Sequence, residues 1–249
     1  MDAANIYAFR LCRQGIENIL HIDFVQENEL IEIDKQKQLS KRNIESFLQD
    51  KPFLNMLLWG ERGCGKSSLV KMLLTVYKDR GLRIVEIHQR NVENIYKLYD
   101  KIRKNRSYKF MLFFDDISFD DKDEHYRQFK SVLEGGIEQT PNNVMFVATS
   151  NKRHLTKDEV LSTNDLYSHD EINEQLSLFG RFGLVLGFYP LSKGSYLKIV
   201  EYYANKFGLK LDRELEKEAE SYAIERGGRS GRIAKQFVIY KSFQKGGLN

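Results

Sequence analysis

The chain has 249 residues, of which 41% are hydrophobic and 30% are charged, and it carries a formal net charge of +4. This balance excludes a disordered chain and is typical of a globular protein with one large domain, or with a core and a smaller partner domain. The positive charge is small and scattered, so it permits a nucleic-acid or acidic partner without arguing for one.

The cysteine content and the apolar runs indicate where the protein works. Cys12 and Cys64 are the only cysteines, and they form neither a disulfide framework nor a metal-ligand spacing. The first residues lack the pattern of a signal peptide, and no apolar run approaches the ~20 residues needed to cross a bilayer. We therefore expect a cytoplasmic protein without a membrane span.

Taken in order, the elements predict an α/β fold. Residues 1–28 have mixed polarity and no clear period, and they are assigned only as an N-terminal extension. A helix before Pro52 is followed by alternating strands and helices. The strands cover 53–59, 83–88, 110–114, 143–149 and 184–189, and the helices cover 66–79, 92–103 and 125–137. This alternation predicts a parallel sheet with helices on both faces.

The pattern changes after Pro190. Residues 194–207, 214–224 and 230–243 predict three helices with no strand between them. We therefore divide the chain into an extension at 1–28, an α/β core at 29–190 and a helical lid at 191–249.

The strongest motif lies between the first predicted strand of the core and the helix that follows it. Residues 60–67 fit the phosphate-loop pattern G-x-x-x-x-G-K-[S/T] at every fixed position, and the strand and helix supply its required context. Backbone N–H groups and the helix N-terminus would surround phosphate oxygens. The residues predicted to bind nucleotide here are Gly60, Glu61, Arg62, Gly63, Cys64, Gly65, Lys66, Ser67 and Ser68.

This loop predicts a P-loop NTPase that binds ATP, or a close relative, with Mg²⁺. Lys66 should reach the β- and γ-phosphates, and Ser67 should ligate Mg²⁺ through its hydroxyl. The alternative is a chance match in an ordinary glycine turn, which the flanking strand and helix disfavour.

Two carboxylates follow the apolar strand that ends at Phe114. Ligands of open α/β sheets bind outside the carboxyl ends of the strands. Asp115 is therefore predicted to hold Mg²⁺, and Asp116 to polarise the attacking water as a general base. An acidic turn that merely ends the strand is the alternative.

Three more polar residues are candidates for the reaction. Asn151 follows the strand at 143–149 and is placed to hold the attacking water; alternatively it only starts a turn. Arg181 precedes the last strand and can act on the nucleotide site of a neighbouring subunit; a surface ion pair is equally compatible. Arg232 begins the last helix and can contact the γ-phosphate from the lid, with Arg229 as the second choice and helix capping as the alternative.

These elements, in this order, resemble the AAA+ ATPases. Several stretches resemble more closely a bacterial subfamily described as domain of unknown function 815, and the resemblance covers about residues 30–243. The stretches lie at 58–71, 114–119, 133–136, 148–155, 181–184 and 229–232. The resemblance implies a Walker A motif at 60–67, a Walker B motif at 111–116, sensor 1 at Asn151, an arginine finger at Arg181, sensor 2 at Arg232 and a C-terminal lid.

The chain departs from the AAA+ pattern at two points. Asp116 stands where many members have glutamate, and its side chain is one methylene shorter. Residues 88–91 lack the aromatic pore loop of protein-threading members, which lowers the expectation of an unfoldase. The resemblance also implies that residues 31–34 flank the adenine.

The sequence therefore predicts an AAA+ ATPase that hydrolyses Mg-ATP to drive a conformational change on a protein or nucleic-acid partner. Its catalytic residues would be Lys66, Asp116, Asn151 and Arg181. Because Arg181 acts on a neighbour, we expect a ring or filament, with a hexamer as the first choice. The alternatives are a nucleotide-controlled loader or binding switch with slow hydrolysis, for which DNA is one candidate partner, and a small-molecule phosphotransferase.

Overall fold

The computed structural model describes residues 1–117, 124–134, 138–151 and 180–246. Its strands are β1 Ala8–Cys12, β2 Gly15–Ile19, β3 Met56–Gly60, β4 Leu82–Ile87, β5 Lys109–Phe114, β6 Val144–Ser150 and β7 Leu184–Phe188. Within the described ranges they form one sheet in the order β2-β1-β4-β5-β6-β3-β7. Only the β1–β2 pair is antiparallel, and the other five neighbouring pairs are parallel. The predicted α/β fold with a central parallel sheet is confirmed.

The helices of the same ranges are α1 Asp34–Leu48, α2 Lys66–Tyr77, α3 Ile95–Arg103, α4 Glu124–Glu134, α5 Lys193–Lys206, α6 Arg213–Glu225 and α7 Gly231–Gly246. Short 3₁₀ helices cover Glu27–Glu29, Lys78–Arg80 and Gln89–Asn94. Within the described part of the chain, no helix is long and apolar enough to cross a membrane. The end of the helix predicted at 125–137 and the family-like stretches at 118–119, 135–136 and 152–155 lie outside the described residues.

The central strands β3, β5 and β6 are mostly apolar because both faces of the sheet are covered. Successive side chains of β5 point to opposite faces, so Phe110 and Leu112 join one core cluster while Met111 and Phe113 join the other. Helices α3 and α4 cover the first face, and α1 and α2 cover the second. This double cover holds the carboxyl ends of β3, β5 and β6 side by side, which is where the predicted site residues follow.

The segment 1–28, to which the sequence assigned no structure, supplies two strands. β1 pairs antiparallel with β2 and parallel with β4, so it extends the sheet by a hairpin at its edge. Phe9 and Leu11 are buried against the same face as α3. Arg83 fixes the start of the chain, because its Nε donates to the carbonyl oxygen of Ala3 at 2.6 Å and its guanidinium lies 4.9 Å from the Tyr7 ring centroid. The hairpin therefore belongs to the sheet of the core.

The C-terminal helices pack on one another around an apolar cluster of their own. Tyr196 of α5, Ala219 of α6 and Phe237 of α7 are buried in this cluster. Helix α6 begins where the Asp212 side chain accepts hydrogen bonds from the backbone N–H groups of Glu214 and Leu215, at 3.1 and 2.9 Å. The separate cluster supports the proposed division of the chain into a core and a lid.

One segment without α-helix or strand, residues 23–33, connects core and lid, and we call it the strap. Asp23 of the strap pairs with Lys71 of α2 at 2.7 Å. Glu29 pairs with Lys206 of α5 at 2.7 Å. Because two acids of the strap bind lysines on different units, the strap bridges the core helix α2 and the lid helix α5.

Candidate functional site

The loop between β3 and α2 has the conformation that its glycines permit. Gly60 has φ +124°, and a Cβ there would lie 1.9 Å from the carbonyl oxygen of Phe188 in β7. Gly63 has φ +76°, and a Cβ there would lie 2.8 Å from the hydroxyl of Ser230. A side chain at either position would therefore collide with a neighbour, as well as strain the backbone. The glycines let the loop turn tightly between β7 and the start of α7.

Lys66, at the first position of α2, is buried beneath the loop. Its ammonium donates to the carbonyl oxygens of Gly60 at 2.6 Å and Glu61 at 2.8 Å, and to the side-chain oxygen of Asn151 at 2.9 Å. Burial lowers the pKa of Lys66, because the charged form is the one that desolvation disfavours. The structure thus joins the predicted phosphate-binding lysine to the predicted sensor asparagine.

Ser67 and Asp115 meet at the carboxyl edge of the sheet. The Ser67 hydroxyl donates to Asp115 Oδ1 at 2.7 Å, and the Thr149 hydroxyl donates to the same oxygen at 2.6 Å. Mg²⁺ prefers oxygen ligands, and in phosphate sites it takes one or two from the protein and the rest from substrate and water. The hydroxyl and carboxylate oxygens of Ser67 and Asp115 fit that ion without a larger acidic cluster. No group of three or more His, Cys, Asp or Glu side chains suited to a metal occurs among the described residues.

Asp116 has a strained backbone and a fixed side chain. Its φ of +53° lies in the left-handed region, which a non-glycine residue occupies at a cost of about 1–3 kcal/mol. The Asp116 N–H donates to the Thr149 hydroxyl at 2.8 Å. Asn151 Nδ2 donates to Asp116 Oδ1, and Arg62 lies 3.9 Å from the other carboxylate oxygen. Three neighbours therefore orient the predicted general base.

A cavity of about 620 Å³ opens above these residues. Its polar end is lined by Arg62, Gly63, Cys64, Gly65, Lys66, Ser67, Ser68, Asp115, Asp116, Thr149, Asn151 and Arg232. Its more apolar end is lined by Phe24, Val25, Leu30, Ile31, Ile33, Leu191, Ile199 and Tyr203. A polar end with the phosphate loop and an apolar end between strap and lid fit the two halves of a nucleotide.

The cysteine of the loop lies on the cavity wall. Cys64 is buried, and burial raises the pKa of its thiol, so the neutral form is favoured. The neutral thiol adds no negative charge where phosphates would bind.

The lid contributes Arg232 at the start of α7. Arg232 lines the cavity. Its backbone N–H donates to the carbonyl oxygen of Gly63 in the loop, with 3.4 Å between nitrogen and oxygen. Arg229 is held elsewhere: its guanidinium makes two hydrogen bonds to Glu220, at 3.0 and 2.7 Å, which raises its pKa. This geometry favours Arg232 over Arg229 as the lid arginine that faces the phosphates.

Arg181 is apart from the other predicted catalytic residues. It is exposed, does not line the cavity, and precedes β7, whereas the phosphate loop follows β3. Because β3 and β7 are parallel, Arg181 lies at the N-terminal end of the strands and the phosphate loop lies at their C-terminal end. The five-residue strands separate these two ends by roughly 17 Å. Arg181 therefore lies away from the nucleotide cavity of its own chain.

Most of the apolar end of the cavity and four of its polar residues were not predicted from the sequence: Asp23, Glu29, Thr149 and Lys235. Thr149 was assigned only as the end of a strand, although a hydroxyl residue at the end of an apolar run is itself a signal. Lys235 lines the cavity three residues after Arg232, on the same face of α7. The strap had no periodicity by which the sequence could reveal it. The resemblance implied that residues 31–34 flank the adenine, and two of them, Ile31 and Ile33, do line the cavity.

Comparison with known proteins identifies the family. The family model described as "Protein of unknown function (DUF815)" matches residues 3–244. The chain belongs to this family. No curated protein matches the sequence.

The DUF815 chain is also similar in fold to solved structures. A RuvB variant of Thermotoga maritima matches with a TM-score of 0.54 and 16% identity, over 86% of this chain and 62% of that one. The ORC1 protein of Aeropyrum pernix, in complex with DNA, matches with a TM-score of 0.57 and 14% identity, over 83% and 58%. The chain thus spans about three fifths of each of them. These matches show the AAA+ P-loop NTPase fold that the sequence predicted.

Proposed function

We propose that this DUF815 protein is an AAA+ ATPase that hydrolyses Mg-ATP to change the conformation of a macromolecular partner. One observation carries the proposal: Lys66, Asn151 and Asp116 form a continuous chain of hydrogen bonds beside the Ser67–Asp115 pair. If these hydrogen bonds served only to stabilise the fold, they would require neither the strained backbone of Asp116 nor a neighbouring phosphate loop. The free cysteines Cys12 and Cys64 support a cytoplasmic location.

Each residue of the site has a role in this proposal. The loop N–H groups and Lys66 bind the phosphates, while Ser67 and Asp115 hold the metal. Bound Mg²⁺ supplies charge neutralisation on the phosphate oxygens. Asp116 accepts the proton of the attacking water, and Asn151 orients that water together with the Asp116 carboxylate. Arg232 adds positive charge from the lid.

Arg181 completes the site in this proposal from a neighbouring subunit. Its exposure at the edge of the sheet opposite the phosphate loop supports action in trans, because it is remote from its own cavity. Such a head-to-tail contact closes into a ring or continues as a filament, and we propose a hexameric ring.

The Asp116→Asn variant tests the assignment. It keeps the size of the side chain and one acceptor oxygen for the bond from Asn151, but it removes the base. We expect ATP affinity, measured by titration with Mg²⁺ present, to stay within a few-fold of wild type. Phosphate release should fall by about 10²- to 10⁴-fold.

Two further variants make the test specific. Lys66→Ala should lose ATP binding itself, and Ser67→Ala should shift the Mg²⁺ concentration that gives half-maximal rate. If the wild-type chain neither binds Mg-ATP nor releases phosphate at any protein concentration, the proposal is wrong. Phosphate transfer to a small acceptor in preference to water would support the phosphotransferase instead.

The second candidate is a nucleotide-controlled loader or switch with slow hydrolysis, associated with DNA. The contacts of Asp116 favour it, because one oxygen of its carboxylate already accepts a hydrogen bond from Asn151 and the other faces Arg62, which leaves fewer lone pairs for an attacking water. Residues 88–91 lack an aromatic pore loop, which argues against a threading motor. Slow turnover with tight ATP binding would select this candidate.

A further inference from the structure

A second concave surface lies beside β1, at the C-terminal ends of the parallel strands, where the phosphate loop also lies. It is a groove of about 170 Å³ between the β1–β2 turn and α3. Four strand spacings of about 4.8 Å separate β1 from β3, so the groove lies roughly 19 Å along the sheet from the nucleotide cavity. The two cavities share no lining residue.

Three exposed cations line this groove. Arg13 lies in the two-residue turn of the hairpin, where Cys12 pairs with Gly15. Lys97 and Lys101 follow each other on one face of α3, with Cβ atoms about 5–6 Å apart. They converge on the groove from two elements that are far apart in sequence.

No carboxylate within the described ranges lies at ion-pairing distance from these three cations. Two acids on the adjoining elements pair with other partners: Glu86 with Arg10 at 2.8 Å, and Asp100 with Arg103 at 3.4 Å. Glu17 of β2 lies opposite Arg10 in the hairpin and does not line the groove. Glu93, on the preceding turn, does not line the groove. The positive charge of the groove is therefore uncompensated by neighbouring side chains.

Helix stability does not account for this arrangement. Lys101 lies in the last turn of α3, where the helix dipole favours a cation, but Lys97 lies in the first turn, where the dipole opposes one. The ammonium of Lys97 is held by the side-chain oxygen of Asn94, a buried residue of the groove, at 3.4 Å. Asn94 in this way keeps a cation at the groove against the local dipole.

We infer that this groove binds the phosphates of a nucleic-acid backbone. Arginine, lysine and side-chain amides are the groups that contact phosphodiesters in protein–DNA interfaces. Arg13, Lys97 and Lys101 provide the cations, and Gln14 at the turn provides an exposed amide. The site extends beyond the proposed ATPase, because backbone binding there requires no hydrolysis.

An acidic protein segment fits the groove less well. Protein interfaces depend on apolar or aromatic anchors that fill pockets. The apolar groups Leu11 and Leu98 lie buried beneath the groove, with 1% and 0% of their surface exposed. The third apolar residue of the lining, Ile16, is half-buried, and no aromatic side chain of the described residues lines the groove.

Fluorescence anisotropy of labelled 20-nucleotide probes, single-stranded and duplex, tests this site with the full chain. The variant Arg13→Gln/Lys97→Gln/Lys101→Gln removes the three cations. Its matched control, Lys35→Gln/Lys210→Gln/Lys217→Gln, removes three exposed lysines that line no cavity, so the net charge falls equally. Titrations are run without nucleotide and with Mg-ATP, between 50 and 200 mM salt.

We expect the wild-type chain to bind with a strong salt dependence. The groove variant should bind at least about 10-fold more weakly at 0.15 M salt, and its log–log salt slope should fall by about 2 for single strands or about 3 for duplex. The control should change the dissociation constant by less than about 3-fold. Without nucleic acid, the control variant and the groove variant should have equal ATPase rates. Loss of nucleic-acid binding is thereby distinguished from loss of the proposed ATPase activity.

Three results would overturn the inference. The first is the absence of salt-dependent binding by the wild-type chain to either probe. The second is an equal loss of affinity in groove and control variants, which would make the binding a matter of net charge alone. The third is binding of a polyglutamate peptide of equal charge as tightly as the oligonucleotides, which would assign the groove to an acidic protein partner.

Discussion

Thr149 connects the two aspartates of the site. Its hydroxyl donates to Asp115 Oδ1 at 2.6 Å and accepts from the N–H of Asp116 at 2.8 Å. One buried side chain thereby fixes both the predicted metal ligand and the strained backbone of the predicted base. Because its hydroxyl is bonded to both aspartates, we assign Thr149 as a positioning residue.

Thr149→Val replaces the hydroxyl by a methyl group of similar size. The loss of its hydrogen bonds should lower the free energy of unfolding by about 1–3 kcal/mol, since the Asp116 N–H loses its partner. The Mg²⁺ concentration for half-maximal ATPase rate should rise by about 10- to 100-fold, as for other residues that orient metal ligands.

Thr149→Ser, which retains the hydroxyl, is the control, and it should restore the Mg²⁺ dependence even if some packing is lost. Denaturant unfolding and Mg²⁺ titrations measure the two effects separately. An unchanged Mg²⁺ requirement in Thr149→Val would show that the hydroxyl does not position Asp115.

The sequence could predict which residues form this site but not how they contact one another. The spacing of the loop, and the carboxylates after an apolar strand, were sufficient to indicate Lys66, Ser67 and Asp115. The left-handed backbone of Asp116 has no sequence signal, because aspartate occupies that conformation only when its surroundings impose it. The bond from Asn151 to Asp116 likewise depends on the register of β5 and β6.

At the level of elements, the strap joins the core to the lid through charged groups. Glu29 binds Lys206, and Glu32 accepts from both Lys198 and Ser195, at 2.8 and 2.7 Å. These partners lower the pKa of both carboxyl groups. Glu32 also has a left-handed φ of +65°. The apolar side of the same segment lines the nucleotide cavity, so nucleotide binding and lid position share one piece of chain.

The double variant Glu29→Gln/Glu32→Gln should loosen the lid and weaken nucleotide binding. Each exposed pair is worth at most about 1 kcal/mol, so the KM for ATP should rise by about 3- to 30-fold while kcat changes less. Steady-state kinetics with Mg-ATP measures the changes in KM and kcat separately.

Glu201→Gln, on the exposed face of α5, is the matched control, because Glu201 has no ion pair among the described residues. It should leave KM unchanged. A fall in kcat with unchanged KM in the double variant would mean that the strap does not set the lid for binding.

Sequence patterns predicted the elements of the core better than its edges. β5 and β6 are continuous apolar runs flanked by polar residues, so their type and extent were evident. The β1–β2 hairpin was not predicted, because its two five-residue strands mix polar and apolar residues without a sustained period. Its pairing with β4 is a long-range contact that no local pattern encodes.

At the scale of the whole molecule, one of the residues proposed to act in catalysis lies away from the cavity. The cavity gathers the loop, both carboxylates, Asn151 and Arg232, whereas Arg181 lies at the opposite edge of the sheet. The proposed action of Arg181 in trans therefore depends on assembly. Specific ATPase activity should rise with protein concentration as subunits associate.

Arg181→Ala should lower kcat by about 10³-fold or more, as expected for an arginine finger. Arg106→Ala is the matched control, because Arg106 is exposed in the loop before β5 at the same edge of the sheet. It should leave the rate unchanged. The single variant does not distinguish action in trans from a local effect, so a mixing experiment is needed.

Mixing two inactive variants decides the point. An Arg181→Ala subunit retains its own phosphate loop, and a Lys66→Ala subunit retains Arg181. In a randomly mixed ring, an Arg181→Ala subunit that receives the arginine of a Lys66→Ala neighbour has a complete site, which occurs at about a quarter of the interfaces. The equimolar mixture should therefore recover a measurable fraction of wild-type phosphate release, although each variant alone is inactive. If the mixture stays inactive under conditions where the subunits exchange, Arg181 does not complete a neighbour's site.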